Sequence, residues 1–407
     1  MAESKTFWLI NQYASTPETG MGGRHYYLAK ELAKQGHTVY LIAAGYTHLL
    51  RTPLELDKDY TIETVTAGFN FVWVKLPKYS HAHDKKRVLN WFIFAWKLLK
   101  LPKVIEDKAD AILYSSPSLI AFLGAQRLAK KLQTKLAFEV RDIWPLTLIE
   151  LGGYSPKHPF IRLMQWVEDR AYHDSDVVLS NLPSAVEHMV ARGMVRGKFQ
   201  WIPNGCDLSE LKTPKPLSVT TQLALPKGKF IIGYAGTLGV ANALDSFIEA
   251  ALLLKGEVEI AFVLVGGGKE KSTLVEQAKG LNNVYFIDPI PKQQIHSMLA
   301  EFDVCYIGLT KDPLFRFGVS PNKLFEYLLS LCPVLYAIES GDYLPVDECK
   351  AGLSIPAEDP QAIADAVVKL KDMSPEERQK MGENGRIYAL EHHDYAKLAQ
   401  KLAHVLP

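Results

Sequence analysis

Short apolar runs alternate with amphipathic segments along most of the chain, the pattern of strands that feed helices. Thr6 to Ile10 (TFWLI) predicts a short buried strand. A polar loop follows, Asn11 to Gly23, holding the run T-G-M-G-G. From His25 to Gln35 the apolar residues Tyr26, Tyr27, Ala29, Leu32 and Ala33 fit one helix face, Gly36 stops it, and Thr38 to Ala43 predicts the next strand. Such a strand–loop–helix–strand unit opens a parallel sheet. Further strands are expected within Tyr60–Leu76 and at Ala111–Ser115, Lys135–Val140, Asp176–Ser180 and Gln200–Pro203, with helices over Lys85–Lys103, Pro117–Leu132, Phe160–His173 and Pro183–Arg192. Ser209 to Lys229 holds three prolines and few large apolar residues, which suits a linker. Beyond it the pattern restarts, with strands at Lys229–Ala235, Ile260–Val265, Val284–Ile287, Val304–Gly308 and Val334–Ala337. A terminal helix over Tyr388–Leu406 carries an apolar stripe (Leu390, Tyr395, Leu398, Leu402) that needs a surface to cover it. The expected organisation is α/β: a first domain over 1–208, a linker over 209–228, a second domain over 229–387, and the helix from about 388 to the end.

A chain of 407 residues is long for one core and suits this division. A formal net charge of +1 argues against a general polyanion binder, and no nucleic-acid partner is expected. Cys206, Cys305, Cys332 and Cys349 lie far apart with no C-x-x-C pairing, so free thiols in a reducing cytosol are expected. No secretory signal or spanning segment is visible.

The chemistry concentrates in Arg316 to Leu335, RFGVSPNKLFEYLLSLCPVL. Gly318 to Pro321 reads as a loop, and Asn322 to Ser330 as a helix with Leu324, Leu328 and Leu331 at helical spacing. A loop entering a helix leaves backbone N–H groups without partners, and these favour an anion. Lys323 adds a positive charge there, Arg316 lies just upstream, and Glu326, one turn on, could accept from sugar hydroxyls. The stretch could hold a sugar diphosphate; the same residues also suit an ordinary helix with Lys and Glu in water. Elsewhere, Gly22-Gly23 and Gly266-Gly267-Gly268 would let bare backbone approach a ligand. Arg141 and Asp142 follow a strand at its carboxyl end, where ligands gather in open α/β sheets. Arg141 could pair with a phosphate or an acidic sugar, Asp142 could accept from a hydroxyl, or the two could form a plain surface pair.

The run S-P-N-K-L-F-E-Y followed by P-V-L resembles the donor-site signature of retaining family-4 glycosyltransferases, which are GT-B enzymes with two Rossmann-like domains facing across a cleft. Arg141 to Pro145 (RDIWP) resembles the branch of that family that assembles bacterial O-antigen and capsule, including N-acetyl-fucosamine-type transferases. The resemblance implies transfer of a sugar from a nucleotide-diphosphate donor, a UDP-sugar, to a glycan or lipid-linked saccharide, with no cofactor and no tightly bound metal. It gives Arg316, Lys323, Glu326 and Asp142 catalytic roles and puts Arg141 on the acceptor side. Donor contacts fall on Gly22, Gly23, Gly236, Thr237, Asn242, Gly266, Gly267, Ile290, Ser320, Pro321, Asn322 and Leu324, and the terminal helix is expected to cross back onto the first domain. Many relatives carry a second glutamate where Gly318 stands, and basic residues where Thr237 and Asn242 stand. These departures keep two other readings open: a nucleotide-sugar-binding protein without catalysis, and a UDP-sugar 2-epimerase.

Lys85 to Lys103 interleaves Trp91, Phe92, Phe94 and Trp96 with six basic residues, Lys85, Lys86, Arg87, Lys97, Lys100 and Lys103. It suits either a helix packed on the sheet or one lying on the anionic inner face of a membrane, where lipid-linked acceptors would be met. A cytoplasmic protein, peripheral on the inner membrane in the second case, is the expectation. His81-Ala82-His83 lacks a further local ligand set for a metal.

Overall fold

A computed structural model describes residues 4–20, 22–80, 84–212 and 214–406. His81 to His83 lie outside them. The chain forms two compact units, 1–204 with 395–407, and 205–394.

The first unit is built on eight strands: β1 (Thr6–Ile10), β2 (Thr38–Ala44), β3 (Tyr60–Thr66), β4 (Phe69–Val74), β5 (Ala111–Ser115), β6 (Lys135–Val140), β7 (Val177–Ser180) and β8 (Phe199–Trp201). Their order is β3-β4-β2-β1-β5-β6-β7-β8, parallel except for the β3–β4 hairpin at one edge. Alternate residues face opposite sides of the sheet. Phe7, Leu9, Val39, Leu41, Leu113, Ala137 and Leu179 meet helices Arg24–Lys34 and Tyr395–Val405. On the other side Tyr114 and Phe138 meet Phe122 of helix Leu119–Leu132, and Phe138 meets Tyr172 of helix Pro159–Asp174. Helices Lys85–Leu98 and Pro159–Asp174 both pack against Leu119–Leu132.

The second unit holds β9 (Phe230–Ala235), β10 (Ile260–Val265), β11 (Val284–Ile287), β12 (Val304–Gly308), β13 (Val334–Ala337) and β14 (Gly352–Ser354), all parallel in the order β11-β10-β9-β12-β13-β14. One face packs on helices Asn322–Leu329 and Pro375–His392, the other on Leu244–Leu253 and Pro360–Asp372.

Two stretches differ from the sequence expectation. The proline-containing segment carries short helices at Ser209–Lys212 and Val219–Ala224, and its Leu217 and Leu225 are buried in the core of the second unit, so apolar anchoring outweighs its linker-like composition. The terminal stripe is not one helix: Pro375–His392 ends within the second unit, and Tyr395–Val405 packs in the first. His393 breaks the run because its ring is buried and stacked on Phe325 at 4.0 Å, a tertiary contact that no local signal announces.

Candidate functional site

The second unit places Gly236, Thr237, Asn242, Gly266 and Gly267 after the carboxyl ends of β9 and β10. Gly236 follows β9 with φ 157° and Gly266 follows β10 with φ 145°. The two loops are zipped together by Gly236 N–H to Val265 O at 2.9 Å and Leu238 N–H to Gly267 O at 2.9 Å. They approach so closely that a Cβ on Gly266 would lie 1.9 Å from Gly236 O, and one on Gly268 2.1 Å from Leu238 O. Glycine is required here by contact as well as by φ.

Lys323 reaches this point from the first turn of helix Asn322–Leu329, whose start at Pro321 has no side-chain cap. Its Nζ donates to Tyr234 Oη at 2.6 Å and to Asn242 Oδ1 at 2.8 Å, and lies 4.5 Å from the Tyr234 ring centroid. Its Cδ is so near Gly236 that a Cβ there would sit 2.9 Å away. Tyr234 Oη and Asn242 Nδ2 both donate to Thr237 O, at 2.7 and 3.0 Å. Burial lowers the Lys323 ammonium to about 8, against a smaller upward pull from Glu326. Burial likewise raises the Tyr234 phenol. The site thus holds a largely desolvated ammonium among neutral dipoles, and an incoming anion would supply its missing counter-charge.

The remaining expected residues divide. Gly267 abuts Pro289, a Cβ on it lying 3.0 Å from Pro289 Cγ, and half-buried Ile290 packs on the core behind. Ser320 and Pro321 are half-buried and Asn322 exposed at the helix entry. Leu324 is not a ligand-facing residue. Its side chain is 0% exposed within the core and its N–H is taken by Pro321 O at 3.1 Å, because helical spacing turns this position inward. Arg316 is held by its own turn: Nη1 donates to Pro313 O, and the guanidinium lies 4.3 Å from the Phe317 ring centroid. Glu326 is half-buried, one helical turn beyond Lys323.

In the first unit, Gly22 and Gly23 adopt φ 68° and 81° and deliver the uncapped start of helix Arg24–Lys34. Arg141 N–H donates to Ser116 Oγ at 2.9 Å, and Arg141 Nε is buried with no hydrogen-bond partner among the described residues. Asp142 is exposed. Beside them is a cluster the sequence reading missed. Glu139, wholly buried at the end of β6, accepts from Arg24 Nε at 2.8 Å, His25 Nε2 at 2.6 Å and Ser115 Oγ at 2.6 Å. Arg24 Nη1 also donates to Pro203 O. Burial alone would raise Glu139, but Arg24, then His25 and the hydrogen bonds outweigh it and hold the carboxyl well below its ordinary range. Asn11 Oδ1 accepts Tyr13 N–H at 2.8 Å, so its Nδ2 donates to His25 Nδ1 at 3.0 Å and the Nε2 proton of His25 goes to Glu139. Burial pulls the His25 pKa down despite Glu139. With both ring nitrogens engaged, His25 fixes the loop between β1 and the helix. The signal available in sequence was a lone carboxylate inside the apolar strand KLAFEV.

Residues 19–205 match the family model described as Glycosyl transferase 4-like domain, and 229–372 match Glycosyl transferases group 1. WcaI of Escherichia coli strain K12, provisionally described as a colanic acid biosynthesis glycosyl transferase, is 26% identical over 325 residues, covering 77% of this chain and 78% of that protein. Among solved structures, the sucrose-phosphate synthase of Thermosynechococcus elongatus superposes with a TM-score of 0.72 at 17% identity, covering 98% of each chain. Alr3699/HepE of Anabaena in complex with UDP gives 0.66 at 16% identity over 99% of each. An E. coli trehalose-6-phosphate protein bound with UDP-2-fluoro glucose gives 0.74 at 12% identity over 98% of each. At these identities the structural likeness establishes the fold, which is GT-B.

Proposed function

The chain belongs to the retaining family-4 glycosyltransferases, which use nucleotide-sugar donors, and from that premise we propose that it transfers a sugar from a UDP-sugar to a lipid-linked saccharide in surface polysaccharide assembly. The observation that carries the donor site is the half-buried Lys323 ammonium, bonded to Tyr234 and Asn242 and set against bare glycine backbone at the ends of β9 and β10. In this reading the donor diphosphate lies against the Gly236 and Gly266 loops and the entry of helix Asn322–Leu329. Negative charge grows on the leaving UDP as the glycosidic bond breaks, and Lys323 and the amides at the helix entry stabilise it without reorganising. Glu326 accepts from sugar or ribose hydroxyls, and Arg316 supports the diphosphate from its turn. Asp142 and Arg141 serve the acceptor. Polysaccharide assembly is suggested by the WcaI likeness, and UDP by the nucleotide that Alr3699/HepE holds.

The aromatic residues of Lys85–Lys103 divide between the core and the surface. Trp91 and Phe94 are core, and Lys97 is buried and paired with Asp59 at 2.8 Å. Leu89, Phe92 and Trp96 are 55%, 47% and 55% exposed on one face, and Lys100 Nζ lies 3.6 Å from the Trp96 ring centroid. No described helix is long and apolar enough to cross a membrane. We propose that this face rests on an anionic lipid surface.

The test is UDP release from a panel of UDP-sugars with and without lipid-linked saccharide acceptors, followed by the anomeric configuration of the product. Acceptor-dependent release with retention is expected. Donor binding with no release from any pair would favour a non-catalytic binder, and acceptor-independent conversion of the UDP-sugar would favour an epimerase.

A further inference from the structure

One backbone carbonyl, Thr237 O in the turn after β9, orients everything that holds Lys323. A lysine ammonium only donates, and a carbonyl only accepts. Between them stand Tyr234 and Asn242, side chains that can do both. Tyr234 Oη accepts from Lys323 Nζ at 2.6 Å and gives its own proton to Thr237 O at 2.7 Å. Asn242 Oδ1 accepts from Nζ at 2.8 Å, and its Nδ2 donates to the same carbonyl at 3.0 Å. Reversing the amide would set Nδ2 against the ammonium and Oδ1 against the carbonyl, so its orientation is fixed from both sides. The turn that carries the carbonyl is itself tied. Gly239 N–H meets Thr237 O at 3.1 Å, Asn242 N–H donates to Gly239 O at 3.0 Å, and Thr310 N–H, just past β12, donates to Ala241 O at 3.1 Å. Gly236 keeps the space open: a Cβ there would lie 3.1 Å from Nζ and 3.2 Å from Tyr234 Oη. Two of the three Nζ protons are thus engaged, and no described residue accepts the third.

We propose that Tyr234 and Asn242 are positioning residues, which hold the Lys323 ammonium by two of its N–H groups and aim the third at the anion that binds there. The inference deepens the transferase reading and rests on it only for naming that anion as the donor diphosphate. Both holders are neutral. They favour the charged lysine by hydrogen bonds and leave its counter-charge to the ligand, whereas a carboxylate in either place would take the ligand's part. Glu326, on the same helix, is the charged group that acts on Lys323. From β9 it faces Tyr234, and beside that Tyr327 Oη lies between Ala235 N at 2.9 Å and Ala235 O at 3.1 Å. Burial raises both phenols, so neither ionises near the lysine.

The experiment reads the full-length protein in two ways across neutral and alkaline pH. One is the reactivity of Lys323 toward trace acetic anhydride, followed at its peptide by mass spectrometry. The other is UDP binding by calorimetry. In the wild type the labelling midpoint is expected near pH 8, with UDP affinity falling above it. Asn242→Ala and Tyr234→Phe each remove a hydrogen bond from the charged lysine. Each should lower the midpoint by about one pH unit and weaken UDP near the wild-type midpoint by about fivefold or more. Asn242→Asp should raise the midpoint by about one unit and still weaken UDP at neutral pH by about tenfold, because the carboxylate stands where the phosphate would. A merely structural role would not send the two Asn242 variants in opposite directions. Midpoints equal to the wild type in all three variants, or moved the same way by Asn242→Ala and Asn242→Asp, would overturn the proposal. Shifted midpoints in a protein that binds no UDP would keep Tyr234 and Asn242 as the holders of the ammonium and overturn the donor reading instead. If Tyr234→Phe fails to fold, the two variants of half-buried Asn242 decide.

Discussion

Lys323 is costly to the fold. Its ammonium is lowered to about 8 by burial, so below that pH the folded protein carries a desolvated charge that the unfolded chain would keep in water. The unfolded state binds more protons between about 8 and the ordinary lysine value near 10.4, and stability contributed by this group therefore rises with pH across that window. The proposed activity should run the other way. With the cation needed for the leaving diphosphate, kcat/KM for the UDP-sugar should be flat below about pH 7.5 and fall as pH rises through about 8. A profile that stays level to pH 10 would separate Lys323 from the chemistry. The place of Lys323, just inside a helix that begins after Pro321, was legible in sequence. Its partners Tyr234 and Asn242 were not, since they come from other segments and only the fold brings them to Nζ. Leu324 shows the converse error: membership of a motif does not turn a side chain toward the ligand when helical spacing puts it in the core.

At the scale of elements, the strands were the easiest to read. β1, β5, β6, β10, β11, β12 and β13 have the bounds that their apolar runs suggest, and all but the edge strand β11 are nearly continuous hydrophobic stretches because they are buried on both faces. The glycine turns after β9 and β10 were legible as bare backbone, but not the reason for them, which is that Gly266 and Gly268 press against carbonyls of the β9 loop while Gly236 leaves room for Lys323. This gives a sharp contrast. Gly266→Ala places a Cβ 1.9 Å from Gly236 O at φ 145°, whereas Gly239→Ala meets nothing nearer than 3.7 Å. Urea melts should show Gly266→Ala destabilised by about 2–4 kcal/mol and Gly239→Ala within about 0.5 kcal/mol of wild type. Equal effects would contradict the close approach of the two loops. The Arg24–His25–Glu139 cluster escaped the sequence because a helix start and a strand end, far apart in the chain, meet at one buried carboxylate, with Arg24 also donating to the Pro203 carbonyl.

At the scale of the molecule, the restart of the strand–helix pattern after Lys229 marked a second sheet, and the solved relatives share the fold across almost the full chain. The apolar stripe said only that the last helix needs a cover, and its place in the first unit was an expectation from the family resemblance, while the break at His393 goes with its stacking on Phe325. The exposed Leu89, Phe92 and Trp96 bear on where the whole protein sits. It should co-sediment with vesicles containing phosphatidylglycerol, bind phosphatidylcholine vesicles poorly, and release as salt screens the basic flanks. Replacing all three residues with serine should abolish sedimentation while leaving the melting temperature near that of wild type, since these side chains make little core contact. Retained binding by the triple variant would place any membrane contact elsewhere.

The most direct test of the donor site is a thermal-shift titration of UDP against the wild type and Lys323→Met. Loss of the ammonium leaves Tyr234 and Asn242 still bonded to Thr237 O, so the variant should fold. UDP at about 100 times its dissociation constant should add about 2.7 kcal/mol to the wild type and raise its melting temperature by several degrees, with little or no rise in Lys323→Met. Equal shifts in both proteins, or none in the wild type, would contradict a nucleotide diphosphate bound where Lys323 meets the glycine loops.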